Sequence, residues 1–159
     1  MNELENQKEI ILIRTFKAPI KQLWKFWTVS EHVMRWWGPK GFISPFCEIN
    51  FRVGGNYLFC MRSPHDKDYW NTGLYRKIIP YERIVCTNSF ADENGNVVPA
   101  SHYGMASDWA LESLLIITFE KDKNKTKLKL HHIGFPSDVD SESVKRGWNE
   151  CFDKLAENL

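Results

Sequence analysis

The stretch Ser141–Leu159 reads SESVKRGWNECFDKLAENL, and the rest of the chain is understood from it. Apolar residues stand at Val144, Trp148, Cys151, Phe152, Leu155 and Leu159, at steps of four, three, one, three and four. Those steps gather them on one stripe of an α-helix. Lys145, Asn149, Asp153, Lys154 and Glu157 fall elsewhere, toward water. Asp138, Asp140, Ser141 and Glu142 supply start chemistry, since short oxygen side chains accept from free backbone N–H groups and negative charge suits the positive helix end. A helix this apolar on one side needs a surface to lie on. Gly147, in its middle, costs roughly 1 kcal/mol of helix propensity against Ala, which predicts that a strand or a ligand comes close there.

The preceding residues supply that surface. Glu9–Lys17 alternates, with Ile11, Ile13 and Thr15 among its β-branched residues, and reads as a strand. Ala18-Pro19 ends it and places proline in the first turn of a helix carrying Ile20, Leu23, Trp24 and Trp27. Ser30 opens a second short helix through Trp36, stopped by Gly38-Pro39. From Gly41 the period becomes two. Strands are predicted over Phe42–Phe51, Asn56–Ser63, Tyr69–Ile79 and Arg83–Phe90, joined by short polar turns. Asp92–Gly104 is a long irregular loop, followed by a hairpin of Leu114–Asp122 and Lys125–Ile133. The order is strand, two helices, a meander and one long helix, an α+β pattern built on an antiparallel sheet.

The 159 residues fit one domain, with residues 1–8 expected as a flexible tail. Lys plus Arg total 21 against 20 for Asp plus Glu, so no phosphate-driven attraction to nucleic acid shows in the totals. Lys121, Lys123, Lys125, Lys127 and Lys129 read as the wet face of two strands. No apolar run reaches the ~20 residues of a membrane span. With no signal-peptide core, a cytoplasmic location is the expectation. Cys47, Cys60, Cys86 and Cys151 are scattered without a CxxC and read as small buried apolar residues, not a zinc site or disulfide frame. No metal or cofactor motif is visible.

Taken in order, several segments resemble one family. They are Arg14–Pro19, Trp36-Trp37-Gly38-Pro39, Arg52-Val53-Gly54-Gly55, Gly73-Leu74-Tyr75 and Pro80–Ile84. Trp109-Ala110-Leu111-Glu112, Thr126–Pro136 and Gly147-Trp148 complete the set. Together they resemble the SRPBCC (START/Bet v 1-like) superfamily, and within it the bacterial relatives of the C-terminal domain of the heat shock protein 90 ATPase activator. The resemblance implies a helix-grip fold, in which a curved antiparallel sheet of about seven strands wraps the C-terminal helix over a cavity. Asn50 stands where the family often has Asp, and Ala110 where Pro is common. These 159 residues hold no counterpart of the eukaryotic activator's separate N-terminal domain, so the fold is expected to carry over and the chaperone role is not.

Three functions stay open: a binding protein for a small, largely apolar ligand, a cyclase- or hydrolase-like enzyme in the same cavity, and a chaperone-interaction module. The protein is expected as a monomer or homodimer. Cavity candidates are Trp36, Trp37, Tyr57, Phe59, Met61, Tyr75, Trp109, His132, Trp148 and Phe152. His132 shares strand parity with Thr126, Leu128 and Leu130 and should point inward, while His131 points to the wet face. Glu48 is expected at the surface because Cys47, Ile49 and Phe51 are the more apolar set, and Glu112 likewise.

Overall fold

The computed structural model describes residues 8–105 and 109–159. Residues 1–7 of the expected tail lie outside them, and Lys8 is already the first residue of a strand. The elements are β1 (Lys8–Phe16), α1 (Ile20–Thr28), α2 (Ser30–Val33), β2 (Ile43–Ile49), β3 (Asn56–Arg62), β4 (Asp68–Ile79) and β5 (Arg83–Ala91). They are followed by β6 (Ser113–Asp122), β7 (Lys125–Phe135) and α3 (Ser141–Glu157). The seven strands form one sheet in the order β1-β7-β6-β5-β4-β3-β2, every neighbouring pair antiparallel. Register breaks between Ile43 and Phe46 and between Tyr75 and Lys77 bend it, as bulges do. This is the helix-grip architecture, with α3 held against the inner face.

Strand parity decides what that face presents. β1 turns Ile10, Leu12, Arg14 and Phe16 inward and leaves Ile11 and Ile13 exposed. β7 buries Thr126, Leu128, Leu130 and His132, and its lysines face water. On α3, Cys151, Phe152 and Leu155 are buried. Phe152 is fully enclosed, with ring centroids 5.8 Å from Phe16, 5.9 Å from Trp148, 6.2 Å from Trp27 and 6.4 Å from Trp36. Polar ties fix the helix around that contact. Arg14 Nη1 donates to Asp153 Oδ1 at 2.8 Å and Nη2 to Asn149 Oδ1 at 3.0 Å. Lys154 Nζ donates to the Phe42 carbonyl at 3.0 Å, and Asp140 caps the helix by accepting from Glu142 N at 3.1 Å.

Two local expectations differ from what is seen. The second helix is α-helical only to Val33 and runs on as tight turns, Trp36 N to Val33 O and Trp37 N to Val33 O. Ser30 does not cap it, and Gly38, at φ 101°, ends it. The long loop is more ordered than its composition suggested. Asp92 Oδ1 accepts from the N–H groups of Asn94 and Asn96, each at 2.9 Å, and Ala91 bridges Val97. A 3-10 turn follows at Ala100–Tyr103, and the Tyr103 hydroxyl donates to the Ala91 carbonyl while accepting from Trp70 N.

If Phe152 is the anchor of the grip, Phe152→Ala should cost about 3–5 kcal/mol of unfolding free energy in urea titration, the usual range for emptying a closed aromatic site. A loss under about 1 kcal/mol would mean that the polar ties hold α3 without it.

Candidate functional site

The sequence places the cavity beneath Trp148 and Phe152. The interior there is nearly full. Trp36, Tyr57, Phe59 and Tyr75 line a space of only about 30 Å³, shared with Trp27 and Trp37. Such a space admits a water or two and no organic ligand. The Tyr57 hydroxyl is spent on the protein, donating to the Thr87 carbonyl at 2.6 Å and lying 3.0 Å from Asn88 Oδ1. Burial raises the Tyr57 and Tyr75 hydroxyls well above the usual phenol range.

A larger space lies outside Trp148. It is an open cleft of about 580 Å³, within the usual range of ligand sites. One wall is the stretch of α3 from Ser143 to Cys151, with Ser143, Val144, Gly147, Trp148 and Cys151. The facing wall is Trp37-Gly38-Pro39 with Met61, and Met105, Trp109 and Val139 close the end. Gly38 is required by geometry. A Cβ there would stand 2.9 Å from Phe42 Cβ and 3.3 Å from Met61 Cβ, on a backbone already at φ 101°. Its close approach to β3 sets Trp37 between the interior and the cleft, with ring centroids 4.8 Å from Phe59 and 5.8 Å from Trp148.

At Gly147 the expectation of a close strand is overturned. Beyond the helix itself, no heavy atom of the described residues lies within 4 Å of where its Cβ would be, and Gly147 lines the cleft.

His132 stands behind Trp148. It is 6% exposed, and its Nδ1 accepts from Trp148 Nε1 at 3.2 Å. That bond requires the Nδ1 lone pair and puts the ring proton on Nε2, which is buried and has no hydrogen-bond partner among the described residues. Burial, and then the neighbouring His131, push its pKa down to about 4. His131 faces the other side of β7, 3.4 Å from Glu9. Glu48 is exposed on β2 while Cys47 and Ile49 pack on the core, and Glu112 is held at the surface by Arg76 at 2.8 Å. Among the described residues no three His, Cys, Asp or Glu side chains cluster as a metal site requires.

Of the ten cavity candidates, Trp37, Met61, Trp109 and Trp148 line the cleft. Trp36, Tyr57, Phe59 and Tyr75 face the small interior space, Phe152 is core, and His132 supports Trp148 from behind. The cleft also uses Val144 and Cys151, which the helical stripe had marked, and Met105, for which the sequence held no signal.

The fold and this cleft define a helix-grip protein of the SRPBCC type. The sequence profile of the activator of Hsp90 ATPase homolog 1-like proteins matches residues 17–159, and the chain belongs to that family. Solved bacterial structures share its fold. A Chromobacterium violaceum protein is 22% identical, with 94% of this chain and 95% of that one covered and a TM-score of 0.75. An Arthrobacter aurescens protein is 19% identical, with 98% and 87% covered and a TM-score of 0.78. The AHSA1 protein of Silicibacter pomeroyi is 21% identical, with 95% and 96% covered and a TM-score of 0.75. Comparison with curated proteins finds no match. Among the described residues no helix is long and apolar enough to cross a membrane.

The His132 shift makes stability depend on pH. Its folded value of about 4 lies below the ordinary 6.5, so between these values the unfolded chain binds the proton more readily. The contribution is whole above about pH 6.5 and is lost as pH falls toward 4. Urea unfolding at pH 7.5 and pH 4.5 should differ by roughly 2–3 kcal/mol more in the native protein than in His132→Gln. Equal pH dependence in the two would show that His132 is not a buried neutral ring.

Proposed function

We propose that the protein binds a small, predominantly apolar ligand in the cleft between the N-terminal part of α3, the Trp37-Gly38-Pro39 turn and the end closed by Met105 and Trp109. The observation that carries this is Gly147. A mid-helix glycine lowers stability, and here no neighbouring atom of the described residues needs the missing side chain. What the glycine keeps open is the cleft itself, between Trp37, Trp109 and Trp148. Rings and methionines suit such a site, since they offer large apolar area and adapt to shape.

The state of His132 supports binding over acid–base catalysis. Its Nδ1 lone pair is engaged by Trp148 and its basicity is depressed, so it serves to hold the indole against the cleft. The ligand meets Trp148 and not the imidazole.

N-phenyl-1-naphthylamine, a neutral fluorophore, is a suitable probe. It should bind saturably, and Gly147→Leu should weaken it at least about tenfold by filling the cleft. Gly147→Ala should raise stability by about 1 kcal/mol, which checks that substitution here is tolerated. Unchanged probe affinity in a folded Gly147→Leu protein would place the ligand elsewhere. No stabilisation by any member of a broad apolar library would remove the reading.

A further inference from the structure

The two edges of the sheet are unlike. β2, at one end of the strand order, carries Pro45 and a register break between Ile43 and Phe46, and α2 packs against it. A proline and a bulge both hinder a further strand from pairing. β1, at the other end, has no proline, and its register is unbroken from Glu9 to Phe16. Among the described residues only β7 pairs with it, so the backbone groups that point away from β7 have no strand partner.

The outer face of β1 presents Glu9, Ile11, Ile13 and Thr15, with Lys17 just past its end, and all five are exposed. Ile11 is 46% and Ile13 57% exposed, where an edge left to water usually carries charge. Arg14 is the one charge between Glu9 and Lys17, and it does not guard the edge. Its guanidinium is bound on the inner face by Asp153 and Asn149 of α3.

We infer that β1 pairs antiparallel with β1 of a second copy of this chain, about a two-fold axis at Ile13, joining the two sheets into one. The outer row is complementary to its own reverse, and this singles out a second copy as the partner. With the axis at Ile13, Ile13 meets Ile13, Ile11 meets Thr15 and Glu9 meets Lys17 of the other copy. Opposite charges then face each other at both ends and β-branched residues face each other in the middle, pairings that stabilise adjacent strands. Neighbouring registers lose this. An axis at Leu12 sets Glu9 against Thr15 and leaves no charge pair, one at Ile11 sets Glu9 against Ile13, and one at Arg14 sets two arginines directly opposite. Lys129, beside Ile13 on β7, would stand three strand spacings from its copy, ~14 Å, beyond the ~8 Å over which charges act at physiological salt. One strand edge is a small contact, below the ~1,200 Å² of most stable complexes, so the dimer is reversible. None of the five outer residues lines the cleft, and the dimer is independent of the ligand proposed there.

Sedimentation velocity of the full chain from about 5 µM to about 500 µM should show a monomer–dimer equilibrium. Ile13→Lys, which puts like charges opposite each other at the axis, should weaken the dimer at least about tenfold. Glu9→Lys alone and Lys17→Glu alone should each weaken it severalfold, and the two together should restore it. Under mild oxidation Ile13→Cys should form a disulfide between copies, because facing residues of paired strands lie within disulfide reach. Ile11→Cys, ~13 Å from its copy along the strand, should not. Circular dichroism and the urea midpoint check that each variant is folded. A monomer throughout the concentration range would overturn the proposal. So would a dimer indifferent to Ile13→Lys, which would place the contact on another face. Equal crosslinking of the two cysteine variants, or a double charge reversal that recovers nothing, would overturn the pairing at Ile13.

Discussion

Phe152 is held on several sides by Phe16, Trp27, Trp36 and Trp148, and the rest of the molecule depends on that enclosure. It lies in the second half of α3, where Cys151 and Leu155 are also buried and Lys154 reaches the Phe42 carbonyl. This half of the helix is committed to the core. The first half is not. Val144 and Gly147 line the cleft, and among the described residues nothing beyond the helix comes within 4 Å of where a Gly147 Cβ would be. A single helix therefore serves as a core element at one end and as a cleft wall at the other. The division falls at Trp148, whose ring touches Phe152 on one side and lines the cleft on the other.

Keeping Trp148 there takes a specific support. Trp148 is half-buried, and its indole N–H is taken up by His132 Nδ1. The cost is a neutral imidazole in a dry place, with Nε2 left without a partner among the described residues. A buried donor without a bond costs on the order of 1–3 kcal/mol. Trp37 completes the partition from the other side, because Gly38 lets the chain pass close to Met61 and sets the ring against Phe59 and Trp148. The Trp37–Trp148 contact is what separates a filled interior from an open cleft.

The sheet was readable because strand periodicity depends on local alternation, and β7 shows it plainly in Thr126, Leu128, Leu130 and His132 against Lys127, Lys129 and His131. The inward His132 followed from strand parity, and the outward Glu48 from parity together with the more apolar set Cys47, Ile49 and Phe51 on the other face. The location of the space did not. Whether Tyr57, Phe59 and Tyr75 surround a cavity or fill it depends on the volumes of residues brought in from α1 and α2, chiefly Trp27 and Trp36, and no local pattern reports that sum. Met105 reaches the cleft through a loop whose path is set by Asp92 and Tyr103, contacts invisible in periodicity. The order of that loop came from side-chain oxygen atoms replacing backbone partners, which composition suggests only as a turn.

Gly147 shows how one residue can be read rightly for energy and wrongly for cause. Its helix cost is evident from sequence, and a close neighbour is the usual reason for bearing it. Among the described residues there is no such neighbour, so packing between them does not account for the glycine. Selection for stability alone would favour alanine at a site with open space in front. A glycine there makes sense when the open space is itself useful. It also explains why the aromatic excess of this chain is divided: Phe152 and Trp36 close the core, while Trp37, Trp109 and Trp148 border the space the glycine preserves.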